Sequence, residues 1–187
     1  MKHWTDRQRL WFYRGLVLLS TAVLVHLAAV WAAPRVIMHV LLGATQASGL
    51  QADNQAAFPA PVTAASRSIV LPSPDLLYAL CKFDVGQGPV RVTANPQLPG
   101  YWSIALYASN SDNFFVLNDR QAQGKPVDLW LVSRDNSIEK QTVPPGSQVV
   151  VTPSTTGLLL MRVLTGDYDA QKGMVEPARH TLRCAAA

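Results

Sequence analysis

The stretch LLYALCKFDV, residues 76–85, decides the fold class of this chain. Its residues 77, 79, 81, 83 and 85 are apolar and share one parity, which is the period of two expected of a strand with one buried face. The stretches PVRVTA (89–94) and YWSIALYA (101–108) alternate in the same way. Each of the three therefore predicts a half-buried β-strand.

Four further short apolar runs follow, at residues 113–117, 127–133, 147–152 and 157–164. Turn-forming residues separate the runs, and no strongly amphipathic helix is predicted between residues 76 and 164. This spacing is typical of antiparallel β domains. We expect a mainly β fold over residues 67–187, an antiparallel sandwich, a jelly-roll-like domain or a partly closed barrel. Pro177 interrupts residues 167–183, which fit either a short helix or a last strand.

The run GLVLLSTAVLVHLAAVWAA, residues 15–33, contains no Asp, Glu, Lys or Arg. As a helix it would be about 28 Å long, close to a bilayer core of about 30 Å. Arg7, Arg9 and Arg14 precede the run, and tryptophans stand near both ends. This pattern predicts a single transmembrane helix that contacts membrane lipid through residues 15–33, with residues 1–14 in the cytoplasm and everything after Pro34 outside.

A cleaved secretory signal peptide is the alternative interpretation, because Val30-Trp31-Ala32 fits a small-residue cleavage rule. The apolar run is longer than the usual signal core of about 7–15 residues, which favours an uncleaved anchor. His26 lies inside the run without a second polar partner. We interpret it as a tolerated neutral residue or a helix-packing contact rather than a proton relay.

Residues 34–66 are predicted to form a juxtamembrane helix and a linker. Residues 35–50 place apolar side chains at helical spacing on one side, so this segment either lies along the outer membrane surface or extends the anchor past Pro34. Residues 51–66 are rich in Ala, Pro and Gln and have no period, which indicates a linker.

The net charge of +4 lies mainly in the N-terminal third. No basic face is concentrated in the predicted β domain, which argues against nucleic-acid binding. The two cysteines, Cys81 and Cys184, are predicted to form a disulfide, because thiols outside the cytoplasm are normally oxidised. The alternative is two buried free thiols.

A polar group brackets the apolar residues 114–117, with Asp112 and Asn113 before them and Asp119 and Arg120 after them. If these ends converge, their oxygen atoms would suit a sugar or Ca²⁺. The interpretation that we favour is that such residues cap turns by bonding their own backbone.

Aromatic residues concentrate in the same part of the chain. Trp102 and Phe115 are expected in the core. Tyr101 and Tyr107 have the opposite parity to Trp102, and they are the aromatic residues that would face a ligand such as a glycan.

The usual catalytic and cofactor-binding motifs are absent from the sequence: it has no GxSxG, HExxH, CxxC, GxGxxG or GxxxxGK[ST] pattern. Of the four histidines, only His180 would serve the β domain, as an exposed or capping residue. We therefore expect no catalytic residues, no metal site and no cofactor.

Four segments together resemble a bacterial family of unknown function, catalogued as domain number twelve fifty-four. They are LPSPDLLY (71–78), GPVRV (88–92), YWSIALY (101–107) and DNFFVLN (112–118). The likeness is strongest over residues 69–120, and it extends to a short membrane-anchored branch of the family. It implies a β-rich fold and an envelope location, but no reaction and no catalytic residues.

The sequence thus predicts a module anchored in the bacterial inner membrane, with its C-terminal domain in the periplasm. Such a module would bind or scaffold a partner without catalysis, either another envelope protein or a polysaccharide. The alternative is an envelope enzyme or binder that acts on glycan or lipid through Asp112, Asp119 and Arg120.

Overall fold

The computed structural model describes residues 5–43, 53–63, 65–67, 72–134 and 143–187. The chain divides into two compact units, Met1–Val36 and Ile37–Ala187. The helices within the described residues are Asp6–Gly43 (α1), Asp119–Ala122 (α2) and Tyr168–Arg179 (α3). The strands there are Ala56–Ala57 (β1), Leu76–Asp84 (β2), Val90–Ala94 (β3), Trp102–Ala108 (β4), Asn113–Asn118 (β5), Val127–Ser133 (β6), Gln148–Thr152 (β7), Thr156–Leu164 (β8) and Arg183–Ala186 (β9).

Helix α1 contains the uncharged run 15–33. Its apolar side chains are exposed, Leu18 by 73% and Leu24 by 68%. By length and composition the helix can cross a membrane, and an N-terminal signal sequence would meet the same criteria. The helix continues through Pro34 to Gly43, so residues 35–43 extend it rather than starting a separate one.

The strands form two sheets. Sheet A has the order β1-β2-β8-β4-β5, and sheet B has the order β7-β6-β3-β9. The expected antiparallel pairing is wrong at one place, because β6 and β7 pair in parallel. Parallel neighbours need a connection of about a dozen residues or more, and residues 134–147 provide one.

One hydrophobic core joins the two sheets. The predicted parities are confirmed in β2 and β3, whose inward residues are buried while the alternate ones are partly or fully exposed. Strand β4 differs from its prediction, because Ser103 and Ala105 on its other face are also buried. Ser103 and Ala105 are both small side chains, and β4 is flanked by β8 on one side and β5 on the other.

The predicted disulfide is confirmed. Cys81 in β2 and Cys184 in β9 are bonded, with their Cα atoms 6.5 Å apart. Strand β9 and strand β2 belong to different sheets. Strand β9 pairs with β3 at the edge of sheet B, so the bridge links sheet A to sheet B across the core.

Part of the segment predicted as a linker belongs to the β unit. Asn54 bonds the end of β2: its side chain accepts from the Asp84 backbone N–H at 2.8 Å and donates to the Asp84 carbonyl at 3.0 Å. Residues 56 and 57 then pair with β2 as strand β1. Backbone pairing to an open strand edge needs no sequence period, which is why the pattern missed it.

Buried Arg179 ties this segment to α3 and β2. It is 4% exposed and donates to the carbonyl oxygens of Pro59 at 2.7 Å and Tyr78 at 3.0 Å. It also donates to the Glu176 carboxylate at 2.6 Å. The buried cation is therefore paired and hydrogen-bonded, as burial of a charge requires.

A second, smaller apolar cluster lies on the other face of sheet A. Met38 and Leu42, from the last turns of α1, pack with Ala57 and Leu158. These helical residues belong to the same unit as the sheets. Of the two arrangements predicted for the segment after Pro34, the structure has the one in which residues 35–43 extend the helix.

Candidate functional site

Asp112 and Asn113 lie at the hairpin that joins β4 to β5. The Asp112 carbonyl accepts from the Ala108 backbone N–H at 2.9 Å, and its carboxylate accepts from the Asn110 side chain at 2.5 Å. Ser111 has a positive φ of 65°, as a tight turn requires. The side chain that bonds the turn backbone is that of Asn110, whose Oδ1 accepts from the Asp112 backbone N–H at 3.2 Å.

Asp119 and Arg120 lie at the opposite end of β5, in α2. At about 3.3 Å per residue, the extended strand separates Asp112 from Asp119 by about 20 Å. A pair of catalytic carboxylates needs a separation of roughly 5–10 Å. The structure therefore does not bring together the polar group predicted around residues 114–117.

Asn118, between β5 and α2, has a capping role of its own. Its side chain accepts from the Gln121 backbone N–H, and the Gln121 side chain accepts from the Asn118 backbone N–H, both at 3.0 Å. This reciprocal capping box ends the strand and starts the short helix. It also fixes the backbone that carries Asp119.

Tyr101 and Tyr107 stand at opposite ends of β4 and do not form a common platform. The Tyr107 hydroxyl accepts from Arg162 at 2.9 Å, and the residue packs against the cluster of Met38 and Leu42. Tyr101 is 42% exposed. Its carbonyl accepts from the Leu164 backbone N–H at 2.9 Å, which places it at the end of β8.

The loop between β3 and β4 separates two hollows, and residues 98–100 line both. The first, called here the polar hollow, has a volume of about 180 Å³ and is also lined by Asn95, Gln97, Trp102, Asp119 and Lys125. Asp119 is the one predicted ligand-binding residue that lines it. No ion pair joins Asp119 to Lys125 among the described residues.

The second, called here the apolar hollow, has a volume of about 390 Å³. It lies between the loop and α3, and it is lined by Leu98, Leu164, Met174 and Val175 together with Gln171. Leu164 and Met174 are 45% and 43% exposed. Its volume is within the range of about 300–1,000 Å³ typical of small-molecule sites.

Sequence reasoning missed Lys125, Leu164 and Met174. Leu164 does carry one signal, since it is a large apolar residue on the outward parity of a strand. Its proximity to the β3–β4 loop depends on the pairing of β4 with β8, which no local pattern encodes.

The residues whose pKa values are shifted belong to hydrogen-bonded pairs outside the two hollows. On sheet B, Arg91 donates two hydrogen bonds to Asp128, and Ser147 donates a third. The bonds from Arg91 lower the pKa of Asp128 below its usual range. On α3, the hydrogen bond from the Tyr168 hydroxyl to Glu176 raises the pKa of Tyr168.

His180 follows α3 as its C-cap. Its ring stacks on Phe58 with centroids 4.1 Å apart, and its Nε2 lies 3.5 Å from the Glu176 carboxylate. Its surroundings are those of a capping residue. In the part of the chain that the structure describes, no three His, Cys, Asp or Glu side chains are grouped as a metal site would require.

Comparison with known proteins assigns a family but no activity. The family described as "Protein of unknown function (DUF1254)" matches residues 54–186, which confirms the resemblance seen in the sequence. The match starts at Asn54, the residue whose side chain bonds the end of β2. No functionally curated protein matches the chain.

Two solved structures are similar to the chain. The VPA0106 protein of Vibrio parahaemolyticus has a TM-score of 0.62 at 16% identity, over 85% of this chain and 37% of that one. An uncharacterised protein of Burkholderia cenocepacia has a TM-score of 0.47 at 18% identity, over 84% of this chain and 40% of that one. The chain thus spans well under two thirds of either, and the first likeness shows a shared fold.

Proposed function

Because the chain belongs to the DUF1254 family, whose function is unknown, we propose a function from its own geometry. The protein is a single-pass module of the bacterial inner membrane. Its N-terminus is cytoplasmic, and a periplasmic β-sandwich binds a partner or ligand without catalysis. The observation that carries the proposal is the exposed, uncharged apolar side of α1.

A helix with these side chains in water would expose a continuous apolar surface far larger than soluble proteins tolerate. Lipid removes that cost, and a helix satisfies its own backbone hydrogen bonds there. An arginine lies over a tryptophan near each end of the run: Arg14 over Trp11 at 5.4 Å and Arg35 over Trp31 at 4.3 Å. Such pairs suit the headgroup layers.

Two features support the periplasmic side and the non-catalytic role. The disulfide between Cys81 and Cys184 suits an oxidising compartment. The carboxylates of the enzyme alternative, Asp112 and Asp119, lie at opposite ends of β5. Exposed hollows beside the β3–β4 loop offer binding surface instead.

The test is a topology assay on the full chain. A reporter that is active only outside the cytoplasm should be active when fused after Ala187 and inactive when fused before Lys2. N-terminal sequencing of the membrane-extracted protein should find an intact helix. A mature chain that starts at Ala33 or Pro34 would show a cleaved signal and leave a secreted domain, contrary to the proposal.

A further inference from the structure

We propose that the two hollows beside residues 98–100 form one site for a zwitterionic amphiphile, a molecule with an amine, a phosphate and an acyl chain, such as an ethanolamine phospholipid. The acyl chain occupies the apolar hollow, and the headgroup occupies the polar hollow. This inference rests on the proposed function, because it names the ligand class of that binding module.

The apolar hollow is suited to the chain of such a molecule. Tyr101, Leu164 and Met174 are among the few large apolar side chains of the β unit that are more than two fifths exposed. Leu164 and Met174 line this hollow, and a backbone hydrogen bond holds Tyr101 beside Leu164. Apolar surface concentrated in a concavity, rather than scattered singly, is typical of ligand sites.

The polar hollow supplies complementary charges. Asp119 and Lys125 line it from α2 and from the turn that follows, and they are not paired with each other. Among the described residues the Asp119 carboxylate has no ion pair. A purely anionic ligand would leave Asp119 unmatched, and a purely cationic one would leave Lys125 unmatched. A zwitterion matches both.

The shared wall makes the two hollows one site. Leu98, Pro99 and Gly100 contribute to both linings, so a ligand that crosses this segment contacts both. The capping box at Asn118 and Gln121 holds α2, and thereby Asp119, at the end of β5. The polar side of the site is therefore built on fixed backbone.

The experiment uses the full chain in nanodiscs of phosphatidylglycerol. Photoreactive lysophosphatidylethanolamine is titrated into them, and in parallel a lysophosphatidylglycerol probe with the same acyl chain. Labelled positions are mapped by peptide mass spectrometry. We expect the ethanolamine probe to label peptides that contain residues 98–100 and 171–175 at lower concentration than the glycerol probe.

Single substitutions test the contributions of Asp119 and Lys125 separately. Asp119→Asn should raise the half-labelling concentration of the ethanolamine probe about tenfold, the scale of one charge-assisted hydrogen bond, and leave the glycerol probe unchanged. Lys125→Gln should weaken labelling by both probes. The matched control is Asp112→Asn, at the other end of β5, which should change neither. Met174→Ser, an exposed change on α3, should weaken labelling by both probes.

Equal labelling of the loop by both probes, unchanged in Asp119→Asn, would overturn the site and indicate general partition of an amphiphile. Labelling confined to α1 would overturn it as well. The proposed function fails in a different way: if α1 is not embedded, the probes label the hollows but not residues 15–33. Displacement of the probe by an apolar peptide but by no lipid would show that the site binds a protein segment. That result would refute the proposed lipid ligand.

Discussion

The bridge between Cys81 and Cys184 should dominate the stability of the β unit. The two residues are separated by 103 positions. In the chain-entropy model, a closed loop of roughly 100 residues stabilises a fold by about 4.7 kcal/mol, an upper-end value. Since small domains have about 5–15 kcal/mol in total, reduction should remove a large share of it. We expect a loss of about 3–5 kcal/mol.

Urea unfolding of the full chain in detergent, with and without reductant, measures this loss. Cys81→Ala and Cys184→Ala should each reproduce the effect of reduction within about 1 kcal/mol, since each also deletes one buried sulfur. The double variant should be little worse than either single variant, because the cross-link is lost only once. Reduced wild-type protein is the control that keeps both sulfur atoms in place.

The structure also predicts which strand is destabilised first when the disulfide is reduced. Strand β9 pairs with β3 only, at the edge of sheet B, whereas β2 lies between β1 and β8. On reduction, hydrogen exchange should therefore rise in β9 before it rises in β2. Additive single variants, or a change on reduction below about 1 kcal/mol, would show that the sulfur atoms act by packing and that the entropy argument is wrong.

Two further perturbations test packing and charge. Gly157→Ala should destabilise the domain by about 3 kcal/mol in urea unfolding, because a Cβ there would overlap the Phe83 ring and the Tyr107 carbonyl oxygen. Its control, Gly173→Ala in α3, has open space around it and should stabilise by about 0.5–1 kcal/mol. The pKa of Asp128 is lowered in the fold, so its ion pair stabilises above the unfolded pKa of about 3.9. Asp128→Asn should therefore lower Tm at pH 7, and the difference from wild type should shrink below about pH 4 as the wild-type carboxylate is protonated. A destabilisation that is the same at pH 7 and pH 3 would contradict the ion-pair argument.

The strand positions were predictable because burial of one face of a strand requires apolar residues at every second position of the sequence. Strands β2 and β3 alternate in sequence and in burial alike, and the seven apolar runs agree with the observed strands to within a residue or two. The disulfide was predictable for a different reason: two cysteines and an inferred compartment leave a single pairing. Strand β1 had no such mark, since it consists of only two alanines, too few residues to show a period.

The end of α1 shows how tertiary packing can extend a helix beyond its local signals. Pro34 predicts a helix boundary, since it lacks the backbone N–H that the preceding turn would bond. Met38 and Leu42 nevertheless continue the helix and are buried against Ala57 and Leu158. Burial of two large side chains is worth about 1.5–3 kcal/mol each, comparable to the cost of about 3 kcal/mol for an interior proline.

The candidate site could not be read from the sequence, because its parts are distant along the chain. The β3–β4 loop lines one hollow together with Asp119 of α2 and the other together with Met174 of α3. Leu164 joins the second hollow because the pairing of β8 with β4 places it beside Tyr101. The sequence did single out Asp119, but for its closeness to Asp112, from which the extended strand separates it. The neighbours of a polar residue at a strand end depend on which other element of the fold packs beside that end. For Asp119 that element is the loop across the hollow, and Lys125, rather than Asp112, is the charge that shares its site.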